Sequence, residues 1–327
     1  MRASAQVPAR NARIVVLGDL VLDVVVAPDG PLRPGTDVEG RVSFRQGGSA
    51  ATTARWFARL GLETSFLTAV ATDGLGDALV AYLERCEVVV HALRVPADRT
   101  GRLAVLVEEG ERSFVSDRAA IRRLGPRFVQ AGWFAGSALL HVPGYSLVGE
   151  RLAAASRRAA RLAQRAGALI SVDLSSAGFL ATEGSAVMLD RVAGLAPDVL
   201  LATRSETAAA TGAAGVEGLL ALAPLVVVKA GAAGASAYGR GSPAPVAVPA
   251  PPMRVADPTG AGDAFDAGFL ASLVRTGVRP ERAAPRDLRR ALEAGHRAAR
   301  REISGRRVEF AVSGLAETCG RSASRSG

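Results

Sequence analysis

The chain is expected to fold as one α/β domain, a central, mostly parallel sheet flanked by helices. Three features carry that expectation. Continuous apolar runs such as Arg13-Ile14-Val15-Val16-Leu17-Gly18 and Leu225-Val226-Val227-Val228 lack the alternation of a half-exposed strand, as befits strands covered on both faces. From residue 138 onward, strand-like and helix-like segments alternate in the manner of repeated βα units. Residues 257–270 change from a proline- and glycine-containing turn into a helical repeat, with Phe265, Phe269 and Leu273 on one face.

Composition bounds the function. At 327 residues and 49% hydrophobic content the chain can bury a large core. No apolar run approaches the roughly 18 residues of a membrane span. Residues 1–12 are basic without an apolar stretch, so they are expected to be a disordered tail rather than a secretory leader, and the small, polar residues 314–327 likewise. Cys86 and Cys319 form no CxxC pair, and His91, His141 and His296 show no metal-ligand spacing, which suits a cytoplasmic enzyme with reduced thiols. The net charge is +9, yet the arginines are scattered pairs such as Arg122-Arg123 and Arg289-Arg290, and aromatics make up only 5%. A nucleic-acid binder would more often show a basic stripe interleaved with aromatics, so neither nucleic acid nor a membrane is expected as a partner.

Taken in order, the run 13–18 is a buried strand, and Asp19-Leu20-Val21-Leu22-Asp23 follows it without a GxGxxG, so a dinucleotide fold is not supported. Asp23 by itself reads equally as a turn residue. Residues 27–46 are rich in Pro, Gly and charge, with a short alternating run at 41–44. Gln46-Gly47-Gly48-Ser49 opens a helix that stops at Gly61. Thr64 to Val70 is a strand, and Thr72-Asp73-Gly74-Leu75-Gly76-Asp77 starts a helix through Leu83. Residues 88–115 contain hairpin-like strands around a Glu109-Gly110 turn. Strands follow at 139–142, 168–173, 198–201 and 225–229, with a helix over 147–166. His141, just past one strand end, could face a ligand or be a satisfied core histidine. Thr203 and Glu206 stand in capping-box positions, and Lys229, the only lysine, precedes the glycine turn Gly231-Ala232-Ala233-Gly234.

The turn at Asp257-Pro258-Thr259-Gly260-Ala261-Gly262-Asp263 is the most informative stretch. The first amides of a helix lack intrahelical partners and sit at the positive end of its dipole, where phosphates bind. Asp263 places a carboxylate beside that anion site, as is needed to handle the proton of an attacking hydroxyl. At these residues the chain closely resembles the C-terminal signature of the ribokinase-like (PfkB) carbohydrate kinases, and Gly47-Gly48 with the helix after them resembles the N-terminal one. The resemblance spans roughly residues 13–310.

What the resemblance implies is specific. Asp263 would be the catalytic base, and the Gly260, Ala261 and Gly262 amides the anion hole. Asp23, Gly47, Gly48, Thr52 and His141 would bind the acceptor. Thr203, Lys229, Gly231 and Gly234 would hold the nucleotide phosphates of ATP. Glu206 would organise Mg2+ through water, and Asp257 and Thr259 are the candidates for a monovalent cation such as K+. Two positions depart from the family pattern, since Thr52 and Thr203 stand where asparagine is usual, and a hydroxyl offers fewer hydrogen bonds than an amide. Segments 35–46 and 88–115 would form a small β-sheet lid, pairing with a second subunit in a homodimer. The expected reaction is transfer of the γ-phosphoryl group of ATP to a hydroxymethyl group of a sugar or sugar-like substrate. A nucleoside kinase of the adenosine or pseudouridine type is the alternative within the family, and a non-catalytic sugar or nucleotide sensor the alternative outside it.

Overall fold

A computed structural model describes residues 12–108, 111–242, 244–253, 255 and 257–305. The turn expected at 109–110 and the tails at 1–11 and 314–327 lie outside the described residues; Ala12, expected in the tail, packs into the core at 3% exposure. In chain order the elements are β1 Arg13–Leu17, β2 Val21–Pro28, β3 Gly40–Gly47, α1 Ser49–Arg59, β4 Glu63–Ala71, α2 Gly74–Arg85 and β5 Val88–Val95. Then come β6 Arg102–Glu108, β7 Glu111–Asp117, β8 Ser137–Pro143, α3 Glu150–Arg165, β9 Leu169–Asp173, α4 Ala177–Glu183 and α5 Ser185–Ala193. The rest is β10 Val199–Thr203, α6 Arg204–Thr211, α7 Gly215–Leu220, β11 Leu225–Lys229, β12 Ala235–Gly239, β13 Val246–Val248, α8 Ala261–Thr276 and α9 Pro285–Ser304.

Nine strands form one sheet in the order β13-β12-β11-β10-β9-β8-β1-β4-β5. Its pairs are parallel except at the β13-β12-β11 edge, where short connections reverse the chain. Because strand side chains alternate between faces, β1 feeds two cores. Ile14 and Val16 pack with Phe57, Leu79, Phe269 and Leu292 under α1, α2, α8 and α9. Val15 and Leu17 pack with Leu152, Ala159, Val192 and Leu219 under α3, α5 and α7. A parallel sheet covered this way exposes only the carboxyl ends of its strands to ligands.

A second, four-stranded sheet, β3-β2-β6-β7, stands over those ends. The lid expectation holds for β3, β6 and β7, but β5 belongs elsewhere. It lies parallel to β4 at the edge of the main sheet, from Thr64 against Val88 to Ala71 against Val95. The reason is the α2 crossover, which returns the chain to the sheet it left. The place in the lid is taken by β2, which pairs antiparallel with β3 and parallel with β6. The bend at Gly18 to Leu20 carries the chain out of the main sheet, and the charge of Asp23 hides the strand that follows.

Candidate active site

Two helix starts meet below the lid. Gly48 precedes α1 with φ 97°, and a side chain there would overlap the Asp19 carbonyl, so the turn needs glycine. Gly260 precedes α8 in the left-handed region at φ 76°. Ala261 spends its amide on the Pro258 carbonyl at 3.0 Å, which corrects its place in the expected anion hole. The amides of Gly262 and Asp263, next in the turn, have no carbonyl partner among the described residues. Ser49, the first residue of α1, donates its hydroxyl to Asp263 Oδ1 at 2.6 Å. Burial pushes the Asp263 carboxyl up to about 7, with the Asp173 and Asp19 carboxylates adding to the rise and the Ser49 hydrogen bond and Lys229 opposing it.

These groups open into a cavity of about 620 Å3. Asp19, Asp23, Ser49, Thr52, Tyr145 and Asp263 supply its polar wall, and Val25, Leu103 and Val105 of the lid cover it. Asp23, on β2, packs against Gly47, where a side chain would overlap its carboxylate. Asp23, Gly48, Thr52, Asp257, Thr259, Gly260 and Asp263, chosen from distant stretches of sequence, therefore line one space.

Other expected residues lie elsewhere. His141 is a core histidine and not a pocket residue: it is 1% exposed, its Nδ1 hydrogen-bonds Ser171 at 2.9 Å, and burial lowers it to about 4. Lys229 is not offered to a phosphate. Its Nζ donates to Asp173 and, at 3.0 Å, to Asp266, and these charges with Glu206 hold it protonated against the effect of burial. Asp266 is 1% exposed and with Asp173 makes the pair of buried carboxylates on Lys229. Thr203 and Glu206 form a complete capping box on α6, the Thr203 amide donating to Glu206 at 2.7 Å. Gly231 and Gly234 turn the chain between β11 and β12, outside the cavity lining. Asp257 does not suit a cation, because Arg45 and Arg112 reach it at 2.6 and 2.8 Å and occupy the charge a K+ would need.

Sequence reasoning passed over Ser49, Asp19, Asp173 and Arg118. Asp19 had a signal, the repeat of aspartate four residues apart after a buried strand. Ser49 had a weaker one, a hydroxyl at the start of a glycine-opened helix. Asp173 and Arg118 are brought in only by the tertiary fold.

With this geometry in place, likenesses to known proteins become informative. A profile described as pfkB family carbohydrate kinase matches residues 11–308. A fructokinase of Klebsiella pneumoniae is 33% identical over 281 residues, covering 82% of this chain and 86% of its own. Adenosine kinase from Sinorhizobium meliloti superposes with a TM-score of 0.78 at 24% identity, over 93% of this chain and 98% of that one. A putative ribokinase II from E. coli in complex with ATP and Mg2+ superposes with a TM-score of 0.71 at 22% identity, over 87% and 92%.

Proposed function

The chain belongs to the pfkB family of carbohydrate kinases, and on that premise we propose that it transfers the γ-phosphoryl group of ATP to a primary hydroxyl of a sugar, with Asp263 as the base. One observation carries this reading: Asp263 stands in the first turn of α8, held by Ser49, inside the lidded cavity and beside two amides that have no partner among the described residues. Phosphoryl transfer needs little covalent help from the protein, so positioning and charge stabilisation do most of the work. Asp23 and Asp19 orient the acceptor, Asp263 takes the hydroxyl proton, and the Gly262 and Asp263 amides face the transferred group. The lid keeps water from competing as acceptor.

No cluster of His, Cys, Asp or Glu among the described residues could hold a metal by itself. By the family resemblance, Mg2+ would be carried mainly on the nucleotide phosphates, and Glu206 would hold it through water. When bound, ATP with Mg2+ supplies the phosphoryl group and neutralises charge on its oxygens. Thr203, Gly231 and Gly234 are the nucleotide-side candidates at the ends of β10 and β11, whereas Lys229 is taken up by Asp173 and Asp266.

The lid's outer face supports a homodimer, since Val42 and Val115 are 57% and 74% exposed there and a small apolar sheet face is marginal in water. Light scattering should report about twice 33.6 kDa; a fully active monomer would remove the dimer and leave the kinase. The kinase reading itself is tested by an ATPase-coupled screen of sugars and nucleosides. Turnover on a nucleoside above every sugar would replace the acceptor class, and no turnover with any acceptor would overturn the reading.

A further inference from the structure

The cavity is lined by Arg45, Arg55, Arg59, Arg112, Arg118 and Arg301, an unusual density of guanidinium groups around an acceptor that the kinase reading leaves neutral. Most of them have partners that account for them. Arg45 and Arg112 hold Asp257, Arg55 reaches Glu302 at 3.5 Å, and Arg59 lies 4.7 Å over the Trp56 ring. Arg118 is different. Its side chain is 6% exposed, with the guanidinium 4.4 Å from the Tyr145 ring and 4.8 Å from the Phe179 ring. Its Nη1 donates to the Tyr145 carbonyl at 3.4 Å and stands 4.0 Å from Asp19, beyond hydrogen-bond reach. Its Nε is buried with no hydrogen-bond partner among the described residues. A buried guanidinium usually has a carboxylate in bidentate contact, because losing water without gaining a partner is costly.

We propose that Arg118 is the specificity determinant of the acceptor site and that the acceptor is a sugar acid, whose carboxylate completes the Arg118 fork. The inference rests on the kinase reading above and narrows its substrate class. Carboxylate is favoured over phosphate by shape and charge. A planar monoanion matches a planar fork held beside two rings. A phosphate dianion would be set against Asp19, Asp23 and Asp263, which line the same cavity. Those carboxylates suit the other end of the acceptor, where hydroxyls need acceptors for their protons.

The test is a coupled assay on the full chain with ATP and four acceptors: a neutral ketohexose, the six-carbon aldonate and ulosonate acids, and ketohexose 1-phosphate. One of the acids should exceed the ketohexose in kcat/KM by about 10²-fold or more, because a site built around a polar partner rejects analogues that lack it. Arg118→Gln should reduce that acid-to-neutral ratio by about 10²-fold, chiefly through KM, and Arg118→Lys by less, since a point charge cannot reproduce the fork. A residue that merely held Tyr145 in place would lower all acceptors together and leave the ratio alone. The proposal is overturned if the ketohexose or the sugar phosphate leads on the unmodified protein, or if the ratio survives Arg118→Gln. Should Arg118→Gln not fold, the acceptor panel on the unmodified protein decides by itself. If nothing is phosphorylated while ATP still binds by calorimetry, the kinase reading fails. The same calorimetry with the acids then judges this one, binding supporting it and no binding overturning it.

Discussion

Asp257, just before the glycine turn, is held by Arg45 of β3 and Arg112 of β7, while Lys229, close under the same turn, is held with Asp173 of β9 and Asp266 of α8. The first cluster ties the lid to the body through side chains that are 13 to 24% exposed. The second ties two strands of the main sheet to α8 through side chains that are 1 to 11% exposed. Lys229 Nζ lies only 3.7 Å from where a Gly262 side chain would begin. The wetter contact costs little to break, because water replaces each lost partner. The drier one is far costlier to break, because each partner left behind would be a buried polar group without solvent. The turn that carries Asp263 is thus fixed from below and gripped from above.

The comparison makes Asp263 the point both clusters serve, and its removal should have the largest effect. Asp263→Asn should lower kcat by about 10²- to 10⁴-fold with little change in the KM for ATP. Turnover within threefold of the parent would mean that neither cluster positions a base. The buried cluster is tested next. Lys229→Met strands Asp173 and Asp266 together, so it should cost about 3–5 kcal/mol of stability by chemical denaturation. A loss below about 1 kcal/mol would erase the distinction between the two clusters.

The pH profile sharpens the same point. Asp263 titrates at about 7 rather than near 3.8, so the ionised base is present only above that range. Hence kcat/KM should climb with pH and level off above about 7. Between about 4 and 7 the folded chain keeps a proton on Asp263 that the unfolded chain has lost, so this group's contribution to stability falls as pH rises. A rate already flat from pH 5 upward would place the working base elsewhere.

Smaller effects are expected at the acceptor wall and at the lid contact. Thr52→Asn should reorder acceptor preference by about ten- to a hundredfold while leaving the KM for ATP alone, since an unmatched buried polar group costs about 1–3 kcal/mol. An unchanged ranking would remove Thr52 from the acceptor wall. Arg45→Met should change stability by less than about 1 kcal/mol, because the pair is partly solvated and Asp257 keeps Arg112. Its effect should appear instead as a raised KM for the acceptor. A large loss of stability from Arg45→Met would show the lid contact to be structural after all.

Much of this was legible in the chain itself. Apolar runs without alternation located β1, β9, β10 and β11, and the glycine-punctuated helices α1 and α8 start where their turns predict. Local chemistry was enough there. It failed where the deciding contacts are distant. β2 was hidden because its one charged residue, Asp23, faces a cavity rather than solvent. β5 was given to the lid because its valines suit either sheet, and only the crossover decides. Lys229 looked free for phosphate because its two carboxylate partners lie 56 and 37 residues away. His141 stayed ambiguous until Ser171 and Phe57 closed around it.

The lid has a further consequence for how the chain folds. In its central pair Leu22 lies opposite Arg102, and between them the chain makes β3, α1, β4, α2 and β5. The loop that this pair closes is long, so its closure is entropically unfavourable until those intervening elements have already condensed. β2 therefore has to wait for β6. The catalytic floor can be complete while its roof is still unzipped, and amide exchange in the lid should be the faster of the two.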